Sequence, residues 1–139
     1  MGRRPHVEVF GTDYPTRDGT AIRDYIHVAD LAEVRVRALA HLLAGHASGF
    51  LNVGTGSGQS VREVVKAVQT VTGSVVPTRN APRRPGDPAI LVADPTRAGA
   101  MLGWQPRISD LQTIVSTAVR WHASAREQPS GTKPQLASS

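Results

Sequence analysis

Two guanidiniums and one carboxylate, Arg23, Arg84 and Asp87, are the side chains here best suited to gripping an anion. Arg23 opens the run Arg23-Asp24-Tyr25-Ile26-His27-Val28, which reads as a short strand leading into a helix. Strand side chains alternate, so Arg23, Tyr25 and His27 are expected on one face and Asp24, Ile26 and Val28 on the other. A fixed cation flanked by a phenol and an imidazole suits a phosphate better than a core. The plainer reading is an edge strand whose polar face is solvated. Arg83-Arg84-Pro85-Gly86-Asp87 is turn chemistry, because Pro fixes φ and Gly permits a positive φ, with Arg84 and Asp87 on either side. An Arg can hold a phosphate bidentately, and a carboxylate three residues on can accept from a sugar hydroxyl. Alone, that pair serves equally well to brace its own loop. Joined by Arg23, it makes a clamp suited to a pyrophosphate.

A third feature is the run Gly54-x-Gly56-x-Gly58 between a strand-like stretch and a helix start. It resembles a phosphate cradle, but the third Gly comes one residue too early for a dinucleotide fingerprint and no Gly-Lys-Ser/Thr follows. A tight strand-to-helix connection accounts for it equally. No catalytic set emerges. Gly56-Ser57-Gly58 lacks the nucleophile-elbow spacing, and His27, His41 and His122 read as surface or structural residues.

Composition narrows the classes. The 139 residues fit one domain, with 40% hydrophobic and 19% charged residues, as in a globular chain. A net charge of +5 suits an anionic partner, but the basic residues are dispersed and aromatics are only 4%. That argues against nucleic acid. Cysteine is absent and the five His residues lack metal-ligand spacing, so no metal site is expected. No apolar run reaches membrane-spanning length, and the expectation is a cytoplasmic protein.

The elements that must position these groups alternate between strand and helix, which means an α/β fold. Asp30 with Glu33, Ser60 with Glu63 and Ser109 with Gln112 read as helix starts, and Asp94-Pro95 as another. Strands are expected near 7–10, 23–28, 50–53, 75–76 and 89–93. Valines 61, 64, 65, 68 and 71 form one helical face; Leu111, Ile114, Val115, Ala118 and Trp121 form another. From about Ala125 the composition turns polar, and 126–139 is read as a disordered tail. The strands are few and short for four helices, as in part of a larger sheet.

Together these segments resemble the UDP-glucose 4-epimerases. Phe10-Gly11-Thr12-Asp13-Tyr14-Pro15-Thr16-x-Asp18-Gly19-Thr20 and Arg23-Asp24-Tyr25-Ile26-His27-Val28-x-Asp30-Leu31-Ala32 carry the likeness most specifically. Asn52-Val53-Gly54-Thr55-Gly56-x-Gly58-x-Ser60, Pro82-Arg83-Arg84-Pro85-Gly86-Asp87, Ala93-Asp94-Pro95-Thr96-Arg97-Ala98 and Leu102-Gly103-Trp104-x-Pro106 are shared more widely among extended short-chain dehydrogenases acting on nucleotide sugars. The resemblance spans about residues 7–123. It implies the C-terminal, substrate-binding part of a Rossmann-type fold over 1–125, working on UDP-glucose and UDP-galactose with NAD as cofactor. It further implies that Arg23 and Arg84 hold the UDP phosphates and that Asp87 bonds the nucleotide's sugar. Tyr25 joins the substrate site, and Leu91 stands where the family limits N-acetyl sugars.

The departure from that pattern is large. The family's glycine fingerprint and Tyr-x-x-x-Lys pair are missing, since Tyr14 and Tyr25 are followed four residues on by Asp18 and Ala29. The NAD-binding half is therefore expected to be absent from this chain, leaving no catalytic or cofactor-binding residue in it. A separate N-terminal half or a homodimer is the partner expected. A stand-alone module for a nucleotide or other phosphorylated ligand, and an inactive remnant, are the other readings.

Overall fold

Capping decides where the helices begin, and three of the four expected starts move; the one expected at Asp94-Pro95 shifts by a residue, with Pro95 in the N-cap position and the helix opening at Thr96. The computed structural model describes residues 5–127. In chain order these form β1 (Val7–Phe10), β2 (Ile22–Asp24), α1 (Val28–Leu43), β3 (Gly58–Ser60), α2 (Val61–Thr72), β4 (Thr78–Ala81), β5 (Ile90–Leu91), α3 (Thr96–Leu102) and α4 (Leu111–Glu127). The Ser60–Glu63 capping box forms as expected, and Gly73 closes α2 in the left-handed conformation. Asp30, by contrast, is not an N-cap. His27 caps α1, its Nδ1 accepting from the Ala29 N–H. Asp30 lies one turn inside at 2% exposure, and Glu33 pairs with Arg37 at 2.7 Å instead of completing a box.

The Asp30 carboxylate accepts from the backbone N–H of Arg107 (3.1 Å) and Ile108 (3.0 Å) and from the Ser109 hydroxyl. Ser109 is thereby committed to α1, and Asp110 takes over at the start of α4, accepting from the Thr113 N–H at 2.8 Å. His27 Nε2 lies 2.9 Å from Thr117 Oγ1, so the first turn of α1 is tied to α4 as well as to the loop before it. α4 runs two residues into the stretch expected to be disordered; the remainder, 128–139, lies outside the described residues.

The strands are shorter than their patterns suggest. β1 pairs with β4 in parallel, while β2 sits between antiparallel β3 and parallel β5. The expected strand over 23–28 ends at Asp24, because His27 is already turning the chain into α1; Arg23, Tyr25 and His27 therefore do not share a strand face. The run expected at 75–76 forms as Thr78–Ala81, and 89–93 pairs only at Ile90–Leu91. Residues 50–53 keep a strand's alternation, with Leu51 and Val53 against the core and Phe50 and Asn52 exposed. Among the described residues, however, their backbone finds no ladder partner.

The core gathers Val34, Ala98 and Trp104, with Ile26, Leu31, Leu51, Val53 and Leu102 packed around them. Outside it, α1 leaves Val36, Leu39 and Leu43 exposed at i, i+3 and i+7, and Phe50 is 94% exposed. Trp121, expected on the apolar line of α4, is also mostly exposed. The fold is α/β, with helices on short, incompletely laced sheets.

Candidate functional site

The Arg23 guanidinium reaches from the middle of β2 to the Asp87 carboxylate, 64 residues on. Its Nη1 donates to the Ile22 carbonyl at 2.7 Å, which pins the side chain back along its own strand. Arg84 reaches the other oxygen of Asp87 at 3.2 Å, three residues along the same turn. That turn closes through the Asp87 N–H donating to the Arg84 carbonyl at 3.2 Å, with Gly86 at φ 76°. Two guanidiniums thus meet on one carboxylate, and the trio keeps one net positive charge. The hydrogen bond from Arg23 holds the Asp87 carboxyl below the usual carboxylate range, and Arg84 adds to the effect. Asp87 is therefore ionised at neutral pH and orients both cations.

The other predicted residues lie close by. The β2–β5 register sets Leu91 opposite Arg23, and Leu91 is 60% exposed. Tyr25 follows β2 directly, and burial pushes its phenol above the ordinary value, so it is a neutral donor at physiological pH. Arg84 lies over the Phe10 ring at 4.8 Å, a stacking that limits its sweep. A guanidinium oriented on one edge retains N–H groups on the other for a second anion. Chemically, the arrangement can bind a diphosphate beside hydroxyl groups.

The glycine run resolves in the opposite sense. Asp24 occupies it: the carboxylate accepts from the N–H of Thr55 (2.9 Å) and Gly56 (3.0 Å), the Thr55 hydroxyl (2.6 Å) and the Ala93 N–H (3.2 Å). A Cβ at Gly54 would stand 2.5 Å from an Asp24 oxygen, so only glycine lets the carboxylate approach. The cradle is an anion site filled from within. Asp24 is the functional-looking residue that sequence reasoning missed, and no local signal marks it, because its partners lie about thirty residues away. Among the described residues, no group of three or more His, Asp or Glu is placed to hold a metal ion, and no helix is long and apolar enough to cross a membrane.

Known proteins resemble this chain over most of its length. The family described as GDP-mannose 4,6 dehydratase matches residues 1–117. A UDP-glucose 4-epimerase of Azospirillum brasilense is 51% identical over 127 residues, 91% of this chain and 36% of the relative. One of Halalkalibacterium halodurans is 47% identical over 131 residues, 94% of this chain and 38% of the relative. The Stenotrophomonas maltophila UDP-glucose 4-epimerase, solved with bound NAD and formylated UDP-arabinopyranose, is 46% identical with a TM-score of 0.83, covering 90% of this chain and 37% of that one. The Bifidobacterium longum enzyme, in complex with NAD+ and UDP, is 38% identical with a TM-score of 0.82, at 90% and 37% coverage. The chain spans a little over a third of the length of these relatives. On the agreement of motifs, fold and matched length, it belongs to the UDP-glucose 4-epimerase family, under the broader GDP-mannose 4,6 dehydratase description.

Proposed function

We propose that these residues are the UDP-sugar-binding portion of a UDP-glucose 4-epimerase and perform no chemistry by themselves. The observation that carries the reading is the convergence of Arg23 and Arg84, from distant parts of the chain, on Asp87. Arg23 and Arg84 hold the two phosphates, and Asp87 accepts from a hydroxyl of the nucleotide's sugar. Tyr25 donates from beside Arg23, and Leu91 borders the hexose. The hexose is glucose or galactose, and the setting is the cytoplasm.

NAD belongs to the reaction through the relatives, two of which were solved with it bound. The residues present here do not fit it. The one cradle suited to its phosphates is taken by Asp24, and no Tyr-x-x-x-Lys pair occurs in the sequence. Cofactor binding and hydride transfer are therefore assigned to residues beyond these 139, in a separate N-terminal half or in a fuller chain. Residues 50–53, strand-like in alternation but without a ladder partner among the described residues, lie between α1 and α2 in chain order, as a strand does in a sheet covered by helices on both faces. With its own Phe50 exposed, and with Val36, Leu39 and Leu43 exposed on α1, this segment supports a docking edge for that sheet in preference to a homodimer contact.

The test is a thermal melt of the purified chain with and without millimolar UDP-galactose. A ligand that binds only the native state at about a hundred times its Kd stabilises by about 2.7 kcal/mol. For a domain of this size that raises Tm by roughly 5 °C or more. A cooperative transition unmoved by the ligand would sink the binding role. No cooperative transition at all would favour the inactive-remnant reading.

A further inference from the structure

The turn that carries Arg84 and Asp87 lies between β4 and β5, outside any regular element, yet the clamp requires it to sit at a fixed distance from Arg23. Its support comes from Arg83 and Tyr14. Arg83 Nε donates to the Asp13 carboxylate at 2.8 Å, and its Nη2 donates to the Asp13 carbonyl at 2.6 Å. The same guanidinium lies over the Tyr14 ring, 4.2 Å from its centre. Tyr14 is buried at 5% exposure, and its hydroxyl donates to the Asp87 carbonyl at 3.3 Å. The turn is therefore held at its entrance by residue 83 and at its exit by residue 87, both from one anchor. That anchor is itself braced, with the Tyr14 N–H donating to the Gly19 carbonyl at 3.0 Å and the Thr16 hydroxyl to the Thr20 carbonyl at 2.7 Å. Gly11 makes room for it: φ there is 75°, and a Cβ would fall 2.4 Å from the Tyr14 ring and 2.8 Å from Arg83 Cγ.

We infer that Arg83 and Tyr14 are positioning residues for the anion clamp, acting on the ligand only through Arg84 and Asp87. This rests on the UDP-binding reading. Arg83 has its hydrogen-bonding edge engaged with Asp13 and its face on Tyr14, so although the pair lies at the surface its guanidinium is committed to its own chain. Arg84, one residue on, is directed to Asp87 and remains mostly exposed. Neighbouring arginines of like composition thus divide between strut and contact.

A double-substitution cycle on UDP binding, followed by calorimetry, separates the two roles. Arg83→Ala is expected to weaken UDP binding about tenfold, and the Arg83→Ala, Arg84→Ala pair by less than the product of the two single losses, because part of the strut's effect acts through the residue already removed. Arg83→Lys keeps the charge but cannot span both Asp13 oxygens while stacking on the ring, so it should not restore affinity. Losses that multiply, or rescue by Lys, would overturn the inference. If Arg83→Ala fails to fold, Tyr14→Phe removes only the hydroxyl on Asp87 and should still weaken UDP several-fold; unchanged affinity counts against the strut. Amide exchange at 84–87 without ligand tests the strut separately, even if the wild-type chain binds no UDP. Faster exchange in Arg83→Ala supports the strut, and unchanged exchange overturns it.

Discussion

Arg23→Ala is expected to abolish the UDP-dependent rise in melting temperature. Arg23 and Asp87 are each about four-fifths buried at the side chain, so their pair is shielded from solvent in a way that the exposed Arg84–Asp87 pair is not. In the proposed complex Arg23 pairs with a ligand phosphate, and truncating one partner of a buried charge pair across an interface weakens binding by roughly 30-fold to several thousand-fold. The charge change acts in the same direction. Without Arg23 the clamp falls from one net positive charge to neutral, with a carboxylate directed toward the incoming phosphate. Arg84→Ala should give a smaller loss, since that side chain is 62% exposed and its field is screened. Titration of UDP into both variants, at equal ionic strength, measures the two losses. Equal losses would contradict the hierarchy of burial.

The largest effect on stability is expected at Asp30. Removing its carboxylate by Asp30→Ala strands the N–H groups of Arg107 and Ile108 and the Ser109 hydroxyl at a site where Asp30 itself is 2% exposed. Each buried donor left without a partner costs about 1–3 kcal/mol, and partial rehydration brings the sum to roughly 3 kcal/mol or more. A fall in urea midpoint at constant slope is the expected signature. Asp30→Asn separates charge from shape. Burial works to raise the Asp30 carboxyl, but the hydrogen bonds from Ser109, Ile108 and Arg107 outweigh it and hold it below its ordinary value. A carboxyl lowered in the folded state binds fewer protons there than when unfolded, so stability rises with pH across that window. Its contribution is complete above the unfolded value near 3.8 and is lost as pH falls through the lower folded one. The Asn variant should be less stable at neutral pH and should lose less on acidification than wild type. An unchanged acid slope would show that other carboxylates dominate there.

What could be read from the sequence was whatever depends on near neighbours. The Ser60–Glu63 box, the valine face of α2 and the Gly73 terminus are all local, and each forms. Arg23, Arg84 and Asp87 were legible because residue type alone restricts what a guanidinium beside a carboxylate can do. Long-range choices were not legible. Asp30 has the spacing of a cap but serves a loop almost eighty residues on, and His27 takes the cap because the strand stops early. Asp24 reads as a plain strand residue until the fold delivers the glycine loop to it. The 50–53 run has the alternation of a strand, but pattern cannot supply the hydrogen-bonding neighbour that would make it one.

The Asp24-filled loop also bears on the stoichiometry expected under the UDP-binding proposal. The chain carries two features that would each attract phosphate, the Arg23–Arg84 pair and the glycine loop, and a count of such features would give a valence of two. Because Asp24 already satisfies the N–H groups of Thr55 and Gly56, an incoming anion would have to displace a tethered carboxylate whose local concentration is far above anything dissolved. The loop is thereby closed to free anions, which leaves the Arg23–Arg84 pair as the open one of these two features. On the proposed UDP-binding reading, phosphate buffer is expected to compete with UDP at the clamp, and titration is expected to give one ligand per chain.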